Sequence, residues 1–469
     1  MNNYYIYVIM YKLTIYLWYR KKILETNKIK RYNNMKIQVS EVNPMKMYSE
    51  MTKSELEAEF SAVKKEYNEW KGRGLTLDMS RGKPGPDQMD VSNILFSMIK
   101  GNEDYRNASG IDCRNYGGLA GLIELRGLFA EIMGVDSTQV MVGGNSSLNM
   151  MFDVIAQGMS HGFGGCKPWL LQGGTKMLCP VPGYDRHFAI AEYFGMELIP
   201  VPMNEEGPDV DLIAELVKDE KVKGMFCVPK YSNPGGIVYS DDVVRKIAAL
   251  TPAAKDFRII WDNAYAIHGF EDTEDHLLHI YDECKKLGHE DMVLIFTSTS
   301  KISFPGAGVA ALAASPANLA ELEHRMSFQT IGPDKLNQLR HARAFKTMDD
   351  LKAHMKRHAA ILKPKFDTVL EILDKKVDGL GIAEWNHPRG GYFINLQVMN
   401  GCAKRVVALC KEAGMVLTSA GAPYPYGIDP DDSNIRVAPS YPLVPELKSA
   451  TELLAVAIKY AALEKLLVK

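Results

Sequence analysis

A lysine lies at the end of an apolar run in the segment IFTSTSKISFPGAG, where Ser298, Thr299 and Ser300 precede Lys301 and a Pro–Gly turn follows. Strand ends in the middle of a sheet are shielded from water, and desolvation disfavours the charged form of a lysine. The pKa of such an amine falls, so the amine becomes a nucleophile that can form a Schiff base with a carbonyl compound. The hydroxyls beside it are suited to hold a phosphate. Taken alone, the same pattern also fits a solvated loop lysine.

A second apolar run ends in polar groups in the segment RIIWDNAYAIHGF, where Asp262 and Tyr265 lie three residues apart. On a turn that leaves a strand, both side chains can point into one pocket. A pyridine cofactor needs an anion at its ring nitrogen, which suits Asp262, and a donor at its phenolic oxygen, which suits Tyr265. A helix cap is the alternative interpretation of Asp262.

Two further segments have the same strand-then-polar form. In GMFCVPKYSNPGG the side chain of Asn233 is a second donor for a phenolic oxygen, although an Asn-Pro-Gly-Gly sequence also fits a plain turn. In QVMVGGNSSLNMMFDVIAQGM a helix start with free backbone N–H groups follows the glycines, and Asn145, Ser146 and Ser147 lie beside it. This segment predicts a phosphate cradle. The spacing of a Walker loop is absent, and the Gly306–Gly308 run lacks the third glycine of a Rossmann fingerprint.

These motifs lie on alternating helical and apolar segments between about residues 118 and 320. The alternation predicts a mostly parallel sheet wrapped by helices, with ligands at the carboxyl ends of the strands. A helix is expected from residue 49 onward, capped by Ser49 or Thr52 and ended by Gly72 and Gly74. The predicted strands of the sheet are QVMVGG, KMLCPV, ELIPVPM, GMFCVP, RIIWD, LIFTST and GVAALAA. After residue 330 the pattern changes to long helices with the strands GGYFINL, VLTSA and NIRVAP.

Composition restricts the class of partner. A chain of 469 residues is long enough for two domains. Its formal net charge of −2 gives no electrostatic reason to expect nucleic acid or an anionic membrane as the partner, so a small molecule is expected. The seven cysteines are scattered without a C-x-x-C pair, which favours a reducing cytoplasm. No histidine spacing indicates a metal site, so no metal is expected.

The first 47 residues differ in composition from the rest, being rich in Tyr, Ile, Asn and Lys. Their apolar run, residues 4–19, is short for a membrane span of roughly 20 residues. It also lacks the charged start and the cleavage site of a secretory signal. Translation of AT-rich upstream DNA would give such a bias, with Met35, Met45 or Met47 as the natural start. A membrane anchor is the alternative interpretation.

From about residue 50 onward, the order of the motifs resembles that of the fold type I pyridoxal-phosphate aminotransferases, class I/II. The segments that carry the resemblance are RGKPG, RNYGGLAGLIELR, PGYD, SNPGG, DNAY, STSK and NIRVAPSYP. The resemblance implies pyridoxal 5'-phosphate as cofactor, held by Lys301 as an imine. It implies Asp262 at the pyridine nitrogen and Tyr265 and Asn233 at the phenolic oxygen. The ring of Tyr184 would stack on the cofactor face.

The resemblance also assigns the remaining contacts. Ser298 and Ser300 would lie near the cofactor's phosphate, and Tyr116 would reach the phosphate of a neighbouring subunit, which implies a homodimer. Arg436 would grip the α-carboxylate of the substrate through a bidentate pair, Asn233 would also contact the substrate, and the backbone of Gly82 would close over it. Implied too are a large domain with a mostly parallel seven-stranded sheet between helices and a smaller α+β domain built from both chain ends. The predicted division is residues 48–95 and 330–469 for the small domain and 96–329 for the large one.

One departure concerns the phosphate. The family usually has an arginine about eight residues after the lysine, and KISFPGAGVA contains none. Lys335 is a candidate replacement.

The sequences of the motifs are similar to those of a divergent aspartate-aminotransferase branch. This similarity implies ping-pong transamination between aspartate and 2-oxoglutarate. Arg389, Arg325 and Arg81 are candidates for a second carboxylate clamp. A β-lyase or decarboxylase on the same scaffold, and a non-enzymatic regulator domain that binds the cofactor, are the alternatives.

Overall fold

The computed structural model describes residues 46–101 and 105–468. The helices of this part are α1 (Lys53–Lys71), α2 (Pro86–Val91), α3 (Ile123–Met133), α4 (Ser147–His161), α5 (Trp169–Gln172), α6 (Asp185–Tyr193), α7 (Val210–Leu216), α8 (Asp241–Ala248), α9 (Ile280–Lys286), α10 (Pro316–Gln329), α11 (Lys335–Ala344), α12 (Met348–Lys376), α13 (Ala403–Glu412) and α14 (Val444–Val468). Within the described ranges, none of them is both long enough and apolar enough to cross a membrane. The interpretations of the first 45 residues lie outside the described residues.

The strands of the same part are β1 (Leu77–Asp78), β2 (Val140–Val142), β3 (Lys176–Val181), β4 (Glu197–Asn204), β5 (Gly207–Pro208), β6 (Val222–Cys227), β7 (Arg258–Asp262), β8 (Val293–Ser298), β9 (Ala310–Ala313), β10 (Ala383–Trp385), β11 (Ile394–Val398), β12 (Met415–Val416) and β13 (Asn434–Val437). Three sheets contain them, in the orders β2-β9-β8-β7-β6-β3-β4-β5, β10-β11-β13 and β1-β12.

The large sheet confirms the predicted α/β architecture. Its central strands β4, β3, β6, β7 and β8 are parallel. At one edge β9 runs antiparallel to both of its neighbours, β8 and β2, so β2 points the same way as the central strands. All seven apolar runs predicted as strands form strands of this sheet. An eighth strand, the two-residue β5, folds back antiparallel onto the end of β4. It has no apolar run of its own, which is why the sequence did not predict it.

Helices cover both faces of this sheet because its strands are apolar on both sides. Successive strand residues point to opposite faces. In β7, Ile259 and Trp261 therefore belong to the core beneath α3, α8 and α9, whereas Ile260 belongs to the core beneath α4 and α6. A sheet buried in this way leaves only the ends of its strands open to a ligand.

The two ends of the described chain share another hydrophobic core. It joins side chains of α1, the second half of α12, β11, β13 and α14. Helix α1 begins as predicted, because Thr52 accepts from the backbone N–H of Glu55 while Glu55 bonds back to the N–H of Thr52, and it ends at Gly72. The division into residues 48–95, 96–329 and 330–469 stays a prediction.

The register of the central strands aligns the predicted site residues at one edge. Cys227 of β6 is paired with Trp261 of β7, and Asp262 is paired with Phe296 of β8. The carboxyl ends of these three neighbouring strands are therefore level, and the segments that carry Asn233, Asp262 and Lys301 leave the sheet side by side.

Candidate active site

Lys301 lies one turn beyond the end of β8. Residues 299–301 form a single turn of 3-10 helix, which Ser298 begins by accepting a hydrogen bond from the backbone N–H of Ser300. The Nζ atom of Lys301 lies 4.9 Å from the ring centroid of Tyr265 and 5.9 Å from that of Tyr392. Burial lowers the pKa of Lys301, and the negative charge of Asp262 opposes this effect. The lowered pKa agrees with the desolvated amine that the sequence predicts at this position.

Asp262, the last residue of β7, is buried, and its two carboxylate oxygens differ. Oδ2 lies 2.9 Å from Nε2 of His187, whose ring stacks on Phe226 with a centroid distance of 4.8 Å. Oδ1 is buried without a hydrogen-bond partner. Because a buried carboxylate oxygen without a partner is costly, this atom fits a ligand that brings a charged N–H group, such as a pyridinium nitrogen.

Two tyrosines belong to the same pocket. The ring of Tyr184 meets that of His187 edge to face at 4.9 Å. Burial, reinforced by the charge of Asp262, raises the pKa of Tyr184 to about 12. Burial likewise raises the pKa of Tyr265 well above its ordinary value. Both hydroxyls therefore keep their protons at neutral pH and are available as hydrogen-bond donors.

Arg436 of β13 is buried and points towards Asn233. Its Nη1 atom donates to Oδ1 of Asp185 at 2.8 Å and faces Oδ1 of Asn233 at 3.4 Å, whereas its Nε atom is buried without a partner. The guanidinium carbon lies 5.1 Å from the ring centroid of Phe393. Gly82 packs on that ring so closely that a Cβ atom there would lie 2.2 Å from it. The structure thus brings Gly82 close to the ring beneath Arg436.

The predicted phosphate cradle is assembled from two segments. Ser146 caps α4 by accepting from the backbone N–H of Leu148. The hydroxyl of Ser300 donates to the backbone oxygen of Asn145 at 3.4 Å, and Ser298 donates to Ser300 at 3.0 Å. The start of α4, with Ser147 as its first residue, therefore lies against the segment that carries Lys301.

Two cations of α11 lie on the same side of the molecule as this segment's neighbours, and the role of Lys335 at the phosphate stays a prediction. Lys335 donates to the backbone oxygen of Gly117 at 2.6 Å. Arg340, on the same helix, donates to Asn337 at 2.7 Å and faces the backbone oxygen of Ala307 at 3.3 Å. It lines a cleft of about 550 Å³ that Asn145 also lines. Sequence reasoning did not single out Arg340, because no motif marks it.

Other predicted residues lie apart from the pocket. The side chain of Tyr116 is 80% exposed, and no cradle residue of its own chain covers it. Arg389 pairs with Asp275 at 3.0 Å, and Arg325 pairs with Asp153 at 2.9 Å. Arg81 is exposed. The two paired arginines are engaged with acidic side chains of this chain, and neither is brought next to Arg436.

Two residues that contact the predicted site were missed. His187 and Asp185 both follow Tyr184 in PGYDRH, the segment singled out for Tyr184 alone. Their partners, Asp262 and Arg436, lie 75 and 251 residues away in the sequence. The available signal was a histidine and an acidic residue at the start of a helix that follows a strand, which is too common a pattern to identify a partner.

A buried polar network lies behind Lys301. The hydroxyl of Tyr392 lies 3.4 Å from the backbone oxygen of Lys301 and accepts from the side-chain amide of Gln88 at 2.8 Å. The same amide lies 3.1 Å from Nδ1 of His358, and Nε2 of His358 lies 3.0 Å from Nε2 of His354. His354 in turn contacts the backbone oxygen of Ile302 at 2.7 Å. The network thus begins and ends on the segment that carries Lys301.

Comparisons with known proteins agree with this geometry. A family model described as aspartate amino-transferase matches residues 51–469. An aspartate aminotransferase of Corynebacterium glutamicum is 44% identical over 405 residues, which cover 86% of this chain and 93% of that protein. A putative aminotransferase of Mycolicibacterium smegmatis is 45% identical over 423 residues, 90% of this chain and 99% of that protein. The crystal structure of an aspartate transaminase from Corynebacterium glutamicum superposes with a TM-score of 0.86 at 44% identity and covers 88% of this chain and 97% of that one.

Proposed function

Since the chain belongs to the aspartate aminotransferase family of fold type I aminotransferases, we propose that its cofactor is pyridoxal 5'-phosphate and that aspartate and 2-oxoglutarate are its preferred substrates. The enzyme is an aminotransferase, which moves an amino group from an amino acid to a 2-oxo acid. The observation that carries the proposal is the lowered pKa of Lys301 beside a buried carboxylate, Asp262, with one oxygen left without a partner.

The residues of the pocket fit this cofactor. Oδ1 of Asp262 is the acceptor for a protonated ring nitrogen, and His187 holds the other oxygen. Tyr265 and Asn233 would donate hydrogen bonds to the phenolic oxygen. Tyr184 supplies an aromatic face, and Lys301 supplies the amine that holds the aldehyde carbon. Ser146, Ser147, Ser298 and Ser300 with Asn145 would hold the phosphate.

The chemistry divides between the cofactor and the chain. When bound, the cofactor supplies an electron-withdrawing ring that stabilises negative charge on the substrate's α-carbon. Nζ of Lys301 would take the proton from the substrate's α-carbon and would deliver it to the cofactor's aldehyde carbon, two bonds away across the imine nitrogen. Because burial lowers its pKa, a larger fraction of this amine is unprotonated and able to act as a base at neutral pH. Asp262 keeps the ring nitrogen protonated, and two such half-reactions make a ping-pong cycle.

Substrate recognition is proposed to centre on Arg436. Its guanidinium is a bidentate partner for the α-carboxylate that amino acids and oxo acids share. Gly82 and the segment around it would close over the bound substrate. Aspartate is proposed from the relative in Corynebacterium glutamicum. Comparing the turnover of aspartate, alanine and an aromatic amino acid tests this choice, and equal rates for all three would refute it.

We propose a homodimer from the exposed apolar side chains near the site. Phe96, Ile111, Tyr116, Phe328 and Ile331 are between 54% and 81% exposed. Large apolar side chains that are exposed on one subunit suit an interface with a second one. A second copy of the chain would cover these side chains and bring Tyr116 to its neighbour's phosphate cradle.

All seven cysteines are free thiols, which supports the cytoplasm as the compartment.

Replacing Lys301 tests the function as a whole. Lys301→Ala removes both the attachment point and the base, so turnover should fall about 10,000-fold or more. The near-visible absorption band of lysine-bound cofactor should also be lost. Both are measured on purified protein supplied with pyridoxal 5'-phosphate. Amino acid consumed and oxo acid acceptor consumed should match one to one in the wild-type reaction, whereas a β-lyase or a decarboxylase would leave the acceptor untouched.

Lys230→Met is the matched control. Lys230 is another buried lysine whose pKa burial lowers, and it follows β6 as Lys301 follows β8. Its Nζ atom donates to the backbone oxygen of Ala266 at 2.8 Å. The control should keep the absorption band and the acceptor stoichiometry. If Lys301→Ala keeps the band or Lys230→Met loses it, the proposed attachment is wrong.

A further inference from the structure

One short segment at the start of α6 contacts three parts of the site. Tyr184 precedes the helix, Asp185 is its first residue and His187 its third. Asp185 pairs with Arg436, and His187 pairs with Asp262. The stacking ring, the carboxylate-binding arginine and the acid at the ring nitrogen are therefore all tied to a single helical turn. Among these contacts, the ion pair between Asp185 and Arg436 takes no part in the function proposed so far.

The guanidinium of Arg436 is held at one nitrogen. Nη1 carries two hydrogens, and two acceptors face it: Oδ1 of Asp185 at 2.8 Å and Oδ1 of Asn233 at 3.4 Å. Nε is buried without an acceptor. Since a guanidinium binds a carboxylate through two N–H groups on one edge, anchoring Nη1 leaves the edge formed by Nε and Nη2 for a ligand.

Asp185 is well placed to act as this anchor. It is the acidic residue in the first turn of α6, where the helix dipole stabilises a negative charge. Its side chain is 35% exposed, whereas that of Arg436 is 8% exposed. A buried guanidinium needs a counter-ion, and Asp185 provides one that is independent of the substrate. Without Asp185, only the longer contact with Asn233 would remain to fix the orientation of Nη1.

We propose that Asp185 is a positioning residue for substrate binding: it holds Nη1 of Arg436 so that the opposite edge of the guanidinium receives the α-carboxylate. This inference rests on the proposed function, because it assumes that Arg436 binds that carboxylate. It assigns Asp185 no contact with the reacting atoms. Its effect therefore falls on the affinity for every carboxylate substrate alike, and the chemical step is left largely as it was.

Steady-state kinetics of Asp185 variants test the proposal. Asp185→Ala removes a hydrogen bond between charged groups, so KM for both the amino acid and the oxo acid should rise about 10- to 100-fold. The kcat should fall less than about threefold, because binding that is equal in the ground state and the transition state changes KM alone. Asp185→Asn keeps a neutral acceptor and should give a smaller rise, and Asp185→Glu should restore part of the affinity.

A binding measurement separates this inference from the proposed function. Succinate has no amino or oxo group to react, so its affinity for the cofactor-loaded protein can be measured by calorimetry without turnover. Asp185→Ala should weaken succinate binding by about the same factor as it raises KM. Asp211→Ala is the matched control, because Asp211 is an exposed acid in the first turn of α7. The control should leave both values unchanged.

Every other result would contradict either the positioning role of Asp185 or the proposed function. A KM or a succinate dissociation constant that falls in Asp185→Ala would mean that Asp185 competes with the substrate, and it would overturn the positioning role. Unchanged values, or a loss confined to kcat, would overturn it as well. A wild-type protein that turns over no amino acid, but whose succinate binding weakens in Asp185→Ala, would refute the proposed function and leave the positioning role supported.

Discussion

The polar groups in front of Lys301 and those behind it are both buried, but they differ in how completely they are hydrogen-bonded. In front, Asp262 and Arg436 each have one protein partner at short distance and one buried atom, Oδ1 and Nε, without any. Behind, Gln88, Tyr392 and His358 bond to one another and to the backbone of the Lys301 segment. The two regions are separated only by the segment that carries the lysine.

This difference indicates which region binds a ligand. Leaving a buried polar atom without a partner costs about 1–3 kcal/mol, and a ligand group that pairs with the atom removes this cost. A ligand that brings an N–H group to Asp262 and a carboxylate to Arg436 would supply both missing partners. The named groups of the network behind Lys301 have partners within the chain, and they connect the lysine segment to α2 and α12.

The largest effect that tests this contrast is expected at Asp262. Asp262→Asn keeps the size and the contact with His187 but removes the charge that would keep a ring nitrogen protonated. We expect kcat/KM to fall about 100- to 1,000-fold, as when one electrostatic partner of a transition state is removed. The free energy of unfolding should hardly change or should rise, because a buried charge with an unpartnered oxygen is removed. Kinetics and urea unfolding measure the two quantities.

Asp256→Asn is the control for that experiment. Asp256 is also a buried carboxylate, but both of its oxygens have partners, since Oδ1 pairs with Lys223 at 2.9 Å and Oδ2 accepts from Trp169 at 2.9 Å. Breaking this buried pair should lower the free energy of unfolding by about 3 kcal/mol and leave kcat within about twofold. If both variants lose stability equally and neither loses activity, the contrast between open and satisfied polar groups does not mark the site.

The sequence predicted part of the pocket in front of Lys301 and none of the network behind it. Lys301, Asp262 and Asn233 each follow an apolar run, and parallel strands place their carboxyl ends together, so their proximity follows from the pattern alone. Asp185 and His187 were missed because their partners come from distant segments. Their pairing depends on the rotation of α6 about its axis, which no local signal sets.

The network behind Lys301 was missed for a different reason. His354 and His358 lie on α12, a helix of 29 residues that the sequence pattern predicted only as helical. Gln88 lies on a two-turn helix after the RGKPG loop. Which of these side chains turns inward depends on how α12 packs against the lysine segment. The two-residue strand β5 was missed in the same way, because pairing with β4, and not local sequence, makes it a strand.

The stability that the region behind Lys301 contributes should depend on pH. Burial, together with the charge of Arg357, lowers the pKa of His354 to about 4. Burial, together with His354 and Arg357, lowers the pKa of His358 to about 3. Neutral His354 donates from Nε2 to the backbone oxygen of Ile302 and accepts at Nδ1 from Arg357. The unfolded chain binds a proton near pH 6.5, well above the folded pKa, so stability is present above about pH 6.5 and falls as pH decreases towards 4.

The loss can be measured in a histidine variant. One histidine contributes about 1.4 kcal/mol per pH unit in that window, hence about 2 kcal/mol between pH 7.5 and pH 5. In His354→Gln, the difference in unfolding free energy between these two pH values should shrink by about that amount. His276→Gln is the control, because His276 is 73% exposed, and its difference should match the wild type. An unchanged difference in His354→Gln would mean that His354 is not held neutral.

The smallest effect is expected at Tyr392, which borders both regions. Its ring faces the amine of Lys301, whereas its hydroxyl joins Gln88 to the backbone oxygen of Lys301. Because the hydroxyl belongs to the satisfied network, Tyr392→Phe should lower the free energy of unfolding by about 1 kcal/mol and kcat by less than about threefold. In a double-mutant cycle with Gln88→Leu, the coupling energy should also be about 1 kcal/mol.

A fall in kcat of more than about tenfold without loss of stability would contradict this expectation. Such a fall would mean that the hydroxyl stabilises the transition state by about 1.4 kcal/mol or more, and it would place the hydroxyl among the groups that act on the substrate. The boundary between the two regions would then lie behind Tyr392 and not in front of it.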